Sequence, residues 1–171
     1  MTRDPDPVAD PGSGDGAAPV LLAALEARGW TVAAAESLTG GLVVSALVDV
    51  PGASRTVRGG VVAYATDLKS SLLGVDASLL HERGAVDPDV AAAMAHGVRD
   101  RLGADVGLAT TGVAGPDAQD GAAPGTVHVA VSTPEAVRVR TLQVDGSRAV
   151  VRRTAVDAVL ALALEQVAAH R

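Results

Sequence analysis

The 171-residue chain contains no cysteine, which removes disulfides, thiolate nucleophiles and Cys-based metal sites together. It also has no phenylalanine, one tryptophan and one tyrosine, although 48% of its residues are hydrophobic. Its core must therefore be built from Val, Leu and Ala in closely packed layers, which suits helices on a sheet better than a small barrel. No stretch reaches transmembrane length without a charge, and Met1 to Ala17 carries Asp, Pro and Gly where a signal peptide needs a basic start and an apolar middle. A soluble, cytoplasmic protein is expected. The four histidines, His81, His96, His128 and His170, show no short ligand spacing, so no metal or other cofactor is expected. Positive charge is scarce too: 14 Lys and Arg stand against 20 Asp and Glu, for a net charge of −6. Without a basic cluster interleaved with aromatics, neither nucleic acid nor membrane is an expected partner.

What is present reads as one α/β domain over residues 18–171, preceded by a disordered tail over 1–17 that is low in apolar content and rich in turn residues. The spacing predicts a helix over Val20 to Arg28 ended by Gly29, with Trp30 opening the first strand. A second strand is expected over Val57 to Tyr64, where glycines allow close backbone approach, then a short helix over Thr66 to Leu73 stopped by Gly74. Pro88 to Leu102 reads as a helix with Asp87 as N-cap and Gly103 past its end. Val106 to Thr111 is a buried strand. Thr126 to Val131 and Val137 to Val144 alternate with period two and form an antiparallel hairpin, so the sheet is mixed, with Arg138 and Arg140 facing water. A last helix runs from about Ser147 to Ala168.

The chain is organised around Thr31 to Leu47, TVAAAESLTGGLVVSAL, which reads as strand, tight turn, helix, with both elements apolar enough to belong to a core. In open α/β sheets such a turn, at the carboxyl end of a strand, is where ligands sit, and its glycines let backbone N–H groups approach an anion. Ser37 stands at the mouth of that pocket. The plainer reading is that Ser37 or Thr39 only caps the helix and the glycines only make the turn. A second Thr/Gly-rich turn, Thr110 to Pro116, follows the Val106 strand and points to one shared pocket.

Lys69 is the only lysine in a chain that otherwise uses arginine for positive charge. A desolvated lysine can lose its proton and act as a base, which a guanidinium cannot. Tyr64, the only tyrosine, lies five residues before it. Ser37, Lys69 and Tyr64 together supply a serine nucleophile, an amine base and a phenol able to relay a proton, a set suited to hydrolysis of an amide or ester. A surface lysine and a half-buried tyrosine are the ordinary alternative. A Ser-His-Asp triad is weaker, because no histidine falls in a predicted turn at a strand's carboxyl end. Arg148 and Arg152 sit four apart in the first turns of the last helix. They read either as a solvated pair or, since cations at a helix N-terminus oppose its dipole, as the holders of a bound anion.

The stretches AAAESLTGG, GGVVAYATDLKSSLLGV, RGAVDPDVAAAMAHGVRD, TTGVAGP with PGTV after it, and GSRAVVRRT closely resemble the CinA C-terminal domain family, the nicotinamide-nucleotide amidohydrolases, over about Val20 to Gln166. The resemblance implies a three-layer α/β/α sandwich and hydrolysis of nicotinamide mononucleotide to nicotinic acid mononucleotide and ammonia. It places Ser37, Tyr64 and Lys69 in catalysis, with Ser37 attacking, Lys69 taking its proton and Tyr64 passing a proton to the leaving ammonia. It assigns Thr39, Gly40, Gly41, Thr111, Gly112, Ala114, Gly115, Arg148 and Arg152 to substrate binding. Backbone N–H groups of Thr39 to Gly41 are the expected oxyanion donors. The partner implied is a small-molecule nucleotide, with a homodimer or homotrimer allowed. Nothing is carried over from the N-terminal domain of full-length CinA proteins, which is not expected in this chain.

The chain departs from the family pattern at Leu38, commonly Cys, at Ala65 and Thr66, usually Ser and Asn, at Asp117 and Ala118, usually Gly, and at Ala122 to Pro124, usually Lys-Pro-Val. These positions bear on substrate contacts and rate. They also keep a second function class in view, a catalytically weak nucleotide- or partner-binding module of the same fold.

Overall fold

A computed structural model of the chain describes residues 16–169; residues 1–15 of the tail expected over 1–17 lie outside them, while Ala17 already belongs to the first helix. Five strands make one sheet: β1 (Val32–Glu36), β2 (Val57–Val62), β3 (Val106–Gly112), β4 (Thr126–Ser132) and β5 (Val137–Gln143), in the order β2-β1-β3-β4-β5. β2, β1 and β3 run parallel, while β4 and β5 are antiparallel additions. Glu36 is level with Val62 on one side and Thr110 on the other. The carboxyl ends of three parallel strands therefore meet at one edge of the sheet, where open α/β sheets bind ligands.

The alternation of side chains decides which helices cover which face. Val32, Ala34, Val106, Leu108 and the valines of β4 share one core with α1 (Ala17–Arg28), α2 (Leu42–Val48) and α6 (Arg148–Ala169). The opposite face presents Ala33, Ala35, Ala109 and Ala130 to α3 (Thr66–Leu73), α4 (Ala77–Arg83) and α5 (Pro88–Leu102). Alanines on that face let α5 lie close to the sheet, and this is how a core without phenylalanine reaches close packing. The three-layer α/β/α sandwich with a mixed sheet is thus the observed fold. Gly60 shows the same economy of space, because a Cβ there would lie 2.3 Å from Val44 and 2.9 Å from the Ala34 carbonyl.

Several elements differ from the sequence reading. α1 starts at Ala17 rather than Val20, and β1 starts two residues after Trp30. β2 ends at Val62, so Tyr64 lies past the strand. α4 has no counterpart in the sequence pattern: it is a short helix started by Asp76, whose side chain accepts from the Ser78 N–H. α2 is only partly core, since Val43 and Leu47 are buried while Val48 is 54% exposed. Arg138 faces water, but Arg140 is half-buried and pairs with Glu165 of α6 at 2.7 Å. Among the described residues no helix is long and apolar enough to cross a membrane, and no group of three or more His, Asp or Glu is placed to hold a metal.

Candidate active site

The turn after β1 carries the nucleophile candidate. Gly40 and Gly41 both adopt left-handed backbone angles (φ 60° and 103°), which side-chain-bearing residues reach only with strain, so the two glycines are what let the chain turn from strand to helix. Ser37 is held against the neighbouring strand by its N–H, which donates to the Thr110 carbonyl at 3.0 Å. Neither Ser37 nor Thr39 caps α2. The Thr39 hydroxyl pairs with that of Thr110 at 2.7 Å, and the cap is Glu36, a fully buried carboxylate that accepts from the N–H groups of Gly41, Val43 and Val44 at 2.9 to 3.0 Å.

Lys69 comes from α3 on the other side of the cleft floor, and its side chain has no exposed surface. Its Nζ lies 3.1 Å from Ser37 Oγ, 2.8 Å from the Ala63 carbonyl and 3.4 Å from the Tyr64 carbonyl. Three acceptors suit an ammonium, but they also suit a neutral amine, whose two N–H bonds go to the carbonyls while its lone pair accepts the serine proton. Burial pushes Lys69 down from 10.5 to about 8, with the Asp120 carboxylate pulling the other way. A usable fraction of free amine is therefore available near neutral pH.

Ser37 opens into a cleft of about 290 Å³ whose walls include Leu38, Tyr64, Thr111, Gly112, Ala114, Gly115 and Arg148. The second Thr/Gly-rich turn lines that space from Thr111 to Pro116, whereas the first reaches it only through Ser37 and Leu38; Thr39, Gly40, Gly41 and Lys69 are not among its walls. Thr111 does not offer its hydroxyl to that space, because Oγ1 donates to the Ala85 carbonyl at 2.6 Å. Asp120 takes the N–H of the same residue at 2.7 Å, so Ala85 is held from two sides and fixes the cleft wall. None of the described histidines lines the cleft. His128 sits on β4 with Nδ1 on the Thr141 hydroxyl at 2.8 Å, and burial lowers its pKa against the pull of Asp87. A Ser-His-Asp arrangement is absent from the described residues of the cleft.

Three expectations change. Tyr64 is 60% exposed, and its hydroxyl accepts from Arg148 at 3.1 Å, so the phenol stands at the cleft mouth and meets Lys69 only through its backbone carbonyl. The two arginines separate. Arg148 lines the cleft, donates to the Gly115 carbonyl at 3.0 Å and has no carboxylate partner among the described residues. Arg152 is outside the lining and grips the Leu38 and Thr39 carbonyls at 2.9 and 2.8 Å. Finally, the Gly40 and Gly41 N–H groups are already engaged, on the Ser37 carbonyl and on Glu36. The Leu38 and Thr39 N–H groups have no acceptor among the described residues. Glu36 and Asp120 were not singled out from sequence. Nothing local marks either: Glu36 is the last residue of β1, five positions before the Gly41 N-cap, and reaches the helix only because the turn folds back over it.

The model of the CinA C-terminal domain matches residues 15–167. A CinA-like protein of Frankia casuarinae is 50% identical over 151 residues, covering 88% of this chain and 35% of its own length. A CinA-like protein of Gloeobacter violaceus is 49% identical over 135 residues, covering 78% and 32%. The chain thus spans about a third of the length of the curated relatives it matches. Among solved structures, a competence-damaged protein (CinA) superfamily protein from Klebsiella pneumoniae aligns with a TM-score of 0.86 at 30% identity, over 90% of this chain and 96% of that one. The competence/damage inducible protein CihA from Agrobacterium tumefaciens aligns with a TM-score of 0.82 at 33% identity, over 91% and 99%.

Proposed function

Because the chain belongs to the CinA C-terminal domain family, we propose that it is an amidohydrolase that converts nicotinamide mononucleotide to nicotinic acid mononucleotide and ammonia. The observation that carries this reading is the fully buried Lys69 amine 3.1 Å from Ser37 Oγ at the floor of a cleft. A serine is a weak nucleophile at neutral pH, and a desolvated amine within hydrogen-bond reach is the base that activates it.

Ser37 Oγ attacks the carboxamide carbon as its proton passes to neutral Lys69. The adduct's oxyanion is met by the Leu38 and Thr39 N–H groups, which replace the Gly40 and Gly41 groups expected from sequence. The C–N bond then breaks, and the leaving nitrogen takes the proton from the Lys69 ammonium and departs as ammonia. Water gives a proton to Lys69 while adding to the Ser37 ester. Cleavage of the ester C–O bond returns that proton to Ser37 Oγ and frees the carboxylic acid. Arg148 supplies the positive charge for the 5′-phosphate, and Tyr64 seats the substrate beside it instead of relaying protons. The cleft volume, about 290 Å³, is at the small end of ligand pockets, which start near roughly 300 Å³. That size favours a mononucleotide over a dinucleotide.

The test is a coupled ammonia-release assay on nicotinamide mononucleotide with the wild type and Ser37→Ala. The wild type should release ammonia, and the variant should lose nearly all turnover while still folding and binding. Saturable binding by the wild type without ammonia release would leave a nucleotide-binding module of the same fold.

A further inference from the structure

The turn that carries Ser37 is gripped by two opposite charges that touch neither each other nor, in the mechanism above, the substrate. Glu36, at the end of β1, is completely buried and holds the N–H groups of Gly41, Val43 and Val44. Arg152, from the second turn of α6, holds the next carbonyls back along the chain, those of Leu38 and Thr39. Among the described residues neither side chain has an ion-pair partner. A buried carboxylate without a cation is costly unless backbone donors satisfy it. Here the two charges are matched through the peptide dipoles of the turn between them.

The Arg152 contact has a direct consequence for the reaction. In a trans peptide the carbonyl and the following N–H point in opposite directions. The guanidinium that pulls on the Leu38 carbonyl therefore turns the Thr39 N–H away from α6 and polarises it. Thr39 is fully buried, and its N–H has no acceptor among the described residues. Buried backbone donors are almost always paired in folded proteins. An unpaired one two residues from the nucleophile is a donor held in reserve for a ligand atom.

We infer that Glu36 and Arg152 are positioning residues that clamp the Ser37–Gly41 turn from its amide and carbonyl sides, holding Ser37 Oγ on Lys69 and keeping the Thr39 N–H free for the oxyanion. The inference rests on the amidohydrolase reading for its effect on rate, but not for its effect on the turn. Arginine is required because one planar fork reaches two consecutive carbonyls, which an ammonium on a flexible stem does not reproduce. Glutamate is required because three N–H groups need an acceptor-only side chain, whereas glutamine turns an NH₂ towards them.

The experiment compares the wild type with Arg152→Lys, the milder change, and with Arg152→Gln and Glu36→Gln. Two readouts are taken: amide hydrogen exchange of residues 37 to 44, and kcat and KM on nicotinamide mononucleotide and nicotinamide riboside. Exchange at Gly40 and Gly41 should quicken in every variant that retains the wild-type circular dichroism spectrum, Arg152→Lys least. The kcat should fall by up to about 10²-fold, the effect of a small misplacement of reacting groups, equally on both substrates and with KM unchanged. Faster exchange in a protein whose wild type releases no ammonia would uphold the clamp and sink the amidohydrolase reading. Unchanged exchange would overturn the clamp whatever the activity. A rise in KM confined to the phosphorylated substrate would also overturn it, making Arg152 a phosphate ligand.

Discussion

Replacing Lys69 by methionine measures what the protein gives up to keep an amine under its nucleophile. The side chain has no exposed surface, and burial lowers its pKa from 10.5 to about 8. That lowering corresponds to about 3 kcal/mol of penalty on the ammonium, at roughly 1.36 kcal/mol for each tenfold change in proton affinity. Because the folded value lies below the unfolded one, the full penalty applies below pH 8. Between pH 8 and 10.5 the unfolded chain binds more protons than the native one, so stability from this group rises with pH across that window. Methionine has a similar length and no charge, but it leaves the Ala63 carbonyl, now 2.8 Å from Nζ, without its donor, which returns about 1–2 kcal/mol of the gain. At pH 7 Lys69→Met should therefore be inactive yet more stable than the wild type by about 1 kcal/mol. Urea unfolding of both proteins from pH 7 to 10 should show the wild type gaining about 2–3 kcal/mol relative to the variant. A stability difference that does not change with pH would show that Lys69 titrates normally in the folded state and would remove the argument for a free-amine base.

Other perturbations separate the roles of neighbouring groups. Asp120 raises the Lys69 pKa, so Asp120→Asn, which keeps an oxygen for the Ala85 N–H, should move the rising limb of kcat/KM to lower pH; an unmoved limb would deny the coupling. Arg148→Ala should raise KM for nicotinamide mononucleotide and leave KM for nicotinamide riboside unchanged, and an equal KM on the phosphorylated substrate would make Arg148 a plain surface charge. Ala65 stands at the N-cap of α3 with no side-chain bond to the helix. Restoring a cap with Ala65→Ser should stabilise the protein by about 1 kcal/mol, read as a raised Tm. No change in Tm would mean that another group already satisfies the first turn of the helix that carries Lys69.

Local pattern was enough to read most of the fold. The alternation in Val137 to Val144 marked a hairpin strand, and Pro88 with Gly103 marked both ends of α5, because these signals lie within a few residues of what they specify. α4 escaped because its seven residues, Ala77–Arg83, are too few to show a helical period. At the site, the scarcity of lysine drew attention to Lys69, and the glycine pair drew attention to the Ser37 turn. What could not be read were contacts made across the chain. Arg152 meets Leu38 across 114 positions and Tyr64 meets Arg148 across 84, so spacing along the sequence carries no trace of either. The exposure of Val48 has the same origin: Val43 and Leu47 of α2 are buried and Leu42, Val44 and Ala46 pack partly against the same core, while Val48 at the helix end faces outward.

The central claim is that Ser37 is activated by a neutral Lys69, and the pH dependence of kcat/KM for nicotinamide mononucleotide in the wild type, Lys69→Ala and Lys69→Arg tests it most directly. The wild type should show a rising limb near pH 8, where the buried amine loses its proton. Lys69→Arg, which keeps the charge but not the deprotonated form, should be nearly as inactive as Lys69→Ala. An arginine variant that keeps most of the activity with the same rising limb would contradict the claim, because the limb would then belong to another group and position 69 would need only a positive charge.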